Sequence, residues 1–438
     1  MTKSTQGHKT RGFMKISNYR FVAVFSLVGF YSNSLFAVDV NSVTQPIKQK
    51  QQILKELDLS FKSLTQLVKI LTQTDQVEAL RLCCVDFSGA KNEQIIALTK
   101  ELTRCQLKKL TLSNTGITPK QLAIILSGLQ KSLKGFELCG ADFFDATEEQ
   151  IAAFVQAFSG SKLKNLNLGG SWIAASHLVK ILFVLQQTLE ELNLGNIDFE
   201  DVSENEIRSL TLVLARCKLK YLNLDGSYST TSQLVKILFA LQQTLEELNL
   251  GRLDFSTASA EEVRSLVKAF ARYKLKKLTF IRADITPGCL AKFLSAFHET
   301  LEELDLSEID FSNSNKEEIL SLAKVFSGSK LEKLNLSWAI IAPEHIKTIV
   351  LGLQPTLKYL DLSGIEFSGA KPEQLEKLAD AIAGCQSING FLLSSEQSEI
   401  GSMVNNKRRA NGIPVFEEVR YPLFQNNPSN LVPNYKIE

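Results

Sequence analysis

Side chains able to do chemistry are few in this 438-residue sequence and widely spaced. Outside the first 37 residues three histidines occur, His177, His298 and His345. No HExxH, GxSxG or Walker A pattern is present, so neither a zinc-activated water, a serine nucleophile nor a phosphate loop is spelled out. Gly169-Gly170 reads as a turn pair. The seven cysteines, Cys83, Cys84, Cys105, Cys139, Cys217, Cys289 and Cys385, are odd in number and include no CxxC pair. That argues against a disulfide framework. Buried free thiols are expected instead, as at Cys105 and Cys217, and no disulfide between the adjacent Cys83 and Cys84. One set of acids is regular: Asp86, Asp142, Asp198, Asp254, Asp310 and Glu366 recur 56 residues apart. They fit either a metal-binding stripe or carboxylates that accept turn N–H groups. On every second strand of a sheet they would stand about 9–10 Å apart, whereas calcium ligands must reach within about 2.5 Å of one ion. The turn reading is preferred, no metal or cofactor is expected, and by elimination the chain is not read as an enzyme.

The elements that must position these residues are repeats. The pattern LxxLxL opens at Leu54 and returns at Val77, Leu107, Leu133, Leu163 and Leu189. It continues at Leu219, Leu245, Leu275, Leu301, Leu331 and Leu357, and a degenerate copy starts at Ile388. From Val77 to Leu107 is 30 residues and from Leu107 to Leu133 is 26, and this alternation holds to Leu357. Leu178–Phe199 and Leu234–Phe255 are nearly identical, so the array grew by duplicating a pair of copies. After each strand motif comes an apolar pattern of helical period, as in Ile151, Phe154, Val155 and Phe158. Helix starts are marked by Ser203…Glu206 and Ser259…Glu262, which read as capping boxes, and by Thr118-Pro119, Thr286-Pro287 and Ala342-Pro343. Such units predict an α/β fold: a right-handed solenoid with a parallel β-sheet on its concave side and α-helices on its convex side. Curvature follows because helices of ~10 Å are stacked on strands ~4.8 Å apart.

The strand motif, the spacing and the full helix in every coil resemble the ribonuclease-inhibitor-like class of leucine-rich repeat proteins, over Leu54 to Leu393. The resemblance is specific for fold and weak for function. It implies partner binding on the concave face or its rim. One departure stands out. The class places Asn or Cys three residues after the last strand leucine, to tie down the turn. Here Val85, Thr115, Ala141, Ser171 and their equivalents stand there, so no amide ladder is expected.

Recognition residues are sought on the faces the core does not need. Asn167, Asn193, Asn223 and Asn249 fill the column between the last two strand leucines. They are read either as amides bonded to one another across strands or as a ligand-facing row. Glu247, Lys277, Glu303 and Lys333 alternate in sign and are expected to pair with one another. Tyr221 and Tyr359 stand in that same column. On the rim, Asn196, Arg252, Arg282, Glu308 and Trp338 are equivalent, and Trp172 and Tyr228 lie two places further on. Trp, Tyr and Arg are favoured anchor types, so Trp172, Tyr221, Tyr228, Arg252, Arg282 and Trp338 are the candidate contacts. For Trp172 and Tyr228 the competing reading is packing against the next turn. His177 and His345 share one helix-start position six coils apart, roughly 29 Å along the sheet, and cannot share a site.

The apolar run Phe21–Phe30, preceded by Lys15 and Arg20 and followed by Ser34-Leu35-Phe36-Ala37, reads as a signal peptide cleaved near Ala37/Val38, with Met14 a plausible start. It is shorter than the ~20 apolar residues of a membrane span. The expected division is signal peptide 1–37, N-terminal cap or linker 38–53, repeat array 54–393 and a polar, flexible C-terminal extension 394–438, with Lys407-Arg408-Arg409 solvated. The mature chain is expected in the periplasm or outside the cell, the alternative being delivery into a host cell. A net charge of +2 gives no basic stripe, so no nucleic-acid partner is expected. The function expected is a monomeric, non-enzymatic scaffold for a protein partner. The alternative is a small-GTPase regulator resembling Ran GTPase-activating proteins, with an exposed Arg or Asn on the rim assisting hydrolysis.

Overall fold

The computed structural model describes residues 54–416 apart from 75, 144, 145 and 228. The leader, its cleavage point and Tyr228 lie outside the described residues. Each LxxLxL segment forms a strand because its leucines point to one side and meet the leucines of the next coil: Leu222 pairs with Leu248, and Leu304 with Leu334. The strands are β1 (Leu54–Asp58), β2 (Val77–Arg81), β3 (Lys109–Thr111), β4 (Gly135–Glu137), β5 (Asn165–Asn167), β6 (Glu191–Asn193), β7 (Tyr221–Asn223), β8 (Glu247–Asn249), β9 (Lys277–Thr279), β10 (Glu303–Asp305), β11 (Lys333–Asn335), β12 (Tyr359–Asp361) and β13 (Gly390–Leu392). Among the described residues they make one parallel sheet in chain order, open at both ends. This is an α/β solenoid of leucine-rich repeats, as the spacing predicts.

Between strands run α1 (Leu64–Thr72), α2 (Asn92–Arg104), α3 (Pro119–Leu129), α4 (Glu148–Gln156), α5 (Ala175–Leu185), α6 (Glu204–Leu214), α7 (Thr231–Ala240), α8 (Ala260–Phe270), α9 (Pro287–Leu294), α10 (Lys316–Phe326), α11 (Pro343–Leu353) and α12 (Pro372–Ala383), with α13 (Ser398–Ala410) after β13. Ser203 and Ser259 cap their helices as expected, each accepting an N–H three residues on. α5 and α11 depart from this. Their N-caps are Ala174 and Ala342, which make no side-chain cap, and His177 and His345 stand where most other coils put Gln or Glu and α9 puts Cys289. One core runs the length of the array: Leu166, Leu192, Leu222 and Leu248 are all buried. A phenylalanine at the end of every second turn fills the wider coils; Phe87, Phe143, Phe199, Phe255 and Phe311 are buried, 56 residues apart.

Each turn is sharp. The second residue past the last strand leucine has positive φ in twelve successive turns among the described residues, from Phe61 to Gly364. Glycine takes this conformation freely, as at Gly170 and Gly226, while Asn196, Arg252, Arg282, Glu308 and Trp338 adopt it at roughly 1–2 kcal/mol each.

One expectation needs correcting. The extension after β13 is not a flexible polar tail over its first part. Ser395–Gln397 forms a 3₁₀ turn and α13 packs on α12. Arg408, read as solvated, is 2% exposed. It donates to the Cys385 carbonyl at 3.0 Å and the Pro414 carbonyl at 2.6 Å, and its guanidinium lies over the Phe416 ring at 4.5 Å. From α13, Arg408 thus reaches back to a carbonyl just past the end of α12, where the chain enters the last described coil. The thiols named in the sequence follow expectation, with Cys83 and Cys84 unbridged. Cys105, Cys217 and Cys385 are buried and free, but Cys84 is exposed. Burial pushes the Cys217 thiol up to about 11, which makes it a poor nucleophile.

Candidate functional site

The sheet face turned away from the helices carries the amide column. Asn167, Asn193, Asn223 and Asn249 are in register on β5 to β8. Each is half-buried and uses its Oδ1 on its own turn. The amides of Gly169, Gly195, Asp225 and Gly251 donate to them at 2.8–2.9 Å. Asp305, Asn335 and Asp361 repeat the bond. The turn lock that was sought three residues after the last leucine therefore exists, placed one residue before it. A side-chain oxygen bonding the N–H two residues on reproduces a backbone turn. These asparagines are thus bonded within their own turns, a third arrangement beside the two expected. Desolvation at this position raises the carboxyls of Asp305 and Asp361 above the usual range.

The acids at 56-residue intervals do what the turn reading expects in four coils: Asp86, Asp198, Asp254 and Asp310 accept N–H groups from Ser88, Glu200, Ser256 and Ser312 at 2.7–2.9 Å. Among the described residues no three His, Cys, Asp or Glu side chains converge to hold a metal ion. In the alternating column Lys333 pairs with Glu303, and Lys277 Nζ is 3.9 Å from the same carboxylate. Glu247 sits in the same column with its carboxyl raised by burial. Tyr221 is half-buried between Glu191 and Glu247 on the neighbouring strands.

The rim residues divide into bound and free surfaces. Arg252 is held by Asp225, with Nε–Oδ1 2.8 Å and Nη2–Oδ2 2.5 Å, and its guanidinium lies against Gly226. Arg282 pairs with Glu308. Trp172 is 70% exposed, which goes against the packing reading. Trp338 is 57% exposed, and part of its indole rests on Gly364, where any Cβ would meet the ring at 2.4 Å. Ile340, at the turn position equivalent to Trp172, is 59% exposed and was missed in the sequence, although the same offset from the strand would have found it. The structure groups the four asparagines with Tyr221, places Trp172 on the rim at the near end of that group and Arg252 at the far end, and leaves Trp338 several coils away. His177 Nε2 is 3.4 Å from Glu148, and His345 is six coils distant.

No family model matches the chain, and no curated protein matches it. Solved structures do. A leucine-rich repeat-containing protein, LegL7 of Legionella pneumophila, is 16% identical, covering 75% of this chain and 97% of that one with a TM-score of 0.45. The yeast Rad7 and Elc1 complex is 18% identical over 71% of this chain and 82% of its own, TM-score 0.46. A TLR13–ssRNA13 complex is 18% identical over 78% and 41%, TM-score 0.44. The fold assignment rests on the sheet order and register above and not on these likenesses.

Proposed function

We propose that this chain is an exported, non-enzymatic scaffold of the ribonuclease-inhibitor-like class, which binds a protein partner along its sheet face and turn rim. The observation that carries the reading is that both tryptophans of the sequence, Trp172 and Trp338, stand exposed on the same rim. Tryptophan is highly buried on average and is favoured as an interface anchor. The class assignment is supported by the alternating 26- and 30-residue copies with a full helix in each coil. Export is supported by the apolar run ahead of Ala37 and is tested by N-terminal sequencing of the native protein, where intact Met1 on cytosolic protein refutes it. No observation favours the GTPase-regulator reading, since both rim arginines among the candidates are engaged by carboxylates.

The binding test is affinity capture from candidate lysates, followed by titration of the captured partner with Trp172→Ala, Tyr221→Ala and Trp338→Ala proteins of unchanged thermal unfolding. Loss of an anchor weakens binding about 30-fold. Unchanged affinity in all three variants refutes binding on this face and rim.

A further inference from the structure

The opposite rim, where each helix ends and the next strand begins, carries cations in a regular row. Lys162, Lys218, Lys274 and Lys330 stand directly before the first leucine of their strand motifs, 56 residues apart and on every second coil. All four are exposed. Strand spacing puts successive members about 9–10 Å apart. Lysines one step further along are neutralised internally: Lys164 and Lys220 share Glu190, and Lys276 meets Glu246. Among the described residues the four row lysines make no ion pair and no side-chain hydrogen bond. Arg216, two residues before Lys218, is likewise exposed and unpaired, whereas Arg104 and Arg272 at the same repeat position donate to carbonyls near the ends of α1 and α7. The small net charge gives no sign of this row, because acids such as Asp86, Asp198, Asp254 and Asp310 stand on the turn rim at the other end of the strands.

Apolar side chains protrude beside these cations. Phe183, Leu212 and Phe239 sit in the last turns of α5, α6 and α7 and are 53%, 60% and 41% exposed. Neighbouring helices place them roughly 10 Å apart. The Arg272 guanidinium lies over the Phe239 ring at 5.7 Å, which brings Phe239 next to the junction that holds Lys274. Along the coils the row therefore reads Lys162, Phe183, Leu212, Lys218, Phe239, Lys274. A ligand for it must supply negative charge around each protruding side chain and an apolar interior to receive it. A nucleic acid supplies the charge and stacks on aromatic rings, but it gives the aliphatic Leu212 nothing to enter. A folded protein needs a separate pocket for each anchor. A bilayer with anionic headgroups offers both over its whole surface.

We propose that this rim, from the end of α4 to the start of β9, rests on an anionic membrane surface. Phe183, Leu212 and Phe239 enter the headgroup boundary, and the lysine row meets the anionic lipid headgroups. The sheet face and the turn rim stay free for the partner of the scaffold reading, on which this inference does not depend.

The test is co-sedimentation of the full chain with vesicles of phosphatidylcholine alone and of phosphatidylcholine mixed with phosphatidylserine. The expected result is binding to the mixed vesicles, weakened by salt. Each cation at an anionic surface adds about fivefold in affinity, so Lys162→Gln, Lys218→Gln and Lys274→Gln together weaken binding about 100-fold. Phe183→Ala with Leu212→Ala weakens it about 10-fold or more. All five side chains lie outside the core, and unchanged thermal unfolding is the control. No binding to either vesicle, or equal binding to both, overturns the proposal. So does binding indifferent to both sets of substitutions, the result expected if the apolar run Phe21–Phe30 carries it. A short single-stranded RNA or a polyglutamate peptide that binds as tightly as the mixed vesicles, with the same dependence on the lysines and none on Phe183 and Leu212, overturns it in favour of a soluble polyanion. Trp172→Ala leaves vesicle binding unchanged; a loss there would put the membrane contact on the turn rim and overturn the assignment. Failure of vesicle binding leaves the scaffold reading standing, since that reading is tested by substitutions on the sheet face and the turn rim.

Discussion

Replacing Asn223 separates structural from recognition duty in the amide column. Its Oδ1 accepts the Asp225 N–H at 2.8 Å from a half-buried position. Asn223→Ala removes the acceptor and leaves that N–H unpaired where water reaches it poorly. The loss of a net hydrogen bond is worth about 0.5–1.5 kcal/mol, and an unsatisfied buried donor about 1–3 kcal/mol. Partial exposure puts the expected destabilisation near 1–2 kcal/mol. Asn223→Asp keeps the oxygen, and Asp305 and Asp361 already make the same bond in other coils, so it should stay within about 0.5 kcal/mol of the parent. Neighbouring coils depend mainly on one another in a solenoid, so the change should be local. The assay is hydrogen exchange of the Asp225 amide and its neighbours, with urea unfolding of the whole chain. Fast exchange in the Ala variant and near-parental exchange in the Asp variant is the expected pair. Parental exchange in Asn223→Ala, with binding to a captured partner lost, would refute the turn-lock reasoning and make the column ligand-facing.

Ala174→Thr should stabilise by about 1 kcal/mol, since the N-cap backbone is already extended at φ −66°, ψ 145° and makes no side-chain cap; slower exchange at the start of α5 checks it. Gly364→Ala places a Cβ against the Trp338 ring and an L-residue at φ +73°, so a loss of roughly 1–2 kcal/mol and a shifted Trp338 emission in a Trp172→Phe background are expected. Asp305→Asn should stabilise above the ordinary carboxylate range. Burial raises the folded carboxyl, so the folded state binds the extra proton, and stability present at low pH is lost as pH rises through the folded pKa. Unfolding followed from acid to neutral pH should show a smaller decline in the Asn variant.

The strand positions, the helices between them and the parallel order were all readable from the chain. LxxLxL at alternating 30 and 26 residues permits few other ways to bury its leucines, and the same period locates the rim. The acids at Asp86 and Asp198 were legible as turn acceptors because their spacing forbids sharing a metal. Other features depended on contacts between coils, which period alone does not specify. Arg408 looked like part of a solvated basic cluster, but the folded chain buries it and gives it the Cys385 and Pro414 carbonyls as partners. Arg252 and Arg282 looked like free anchors, but their carboxylates lie 27 and 26 residues away in sequence and one coil away in space. Trp172 and Ile340 share one turn position, yet only tertiary structure shows both side chains left outside the core. Sequence period determines which residues share a row; the stacking of one coil on the next determines which of them are already satisfied and which are left to meet a partner.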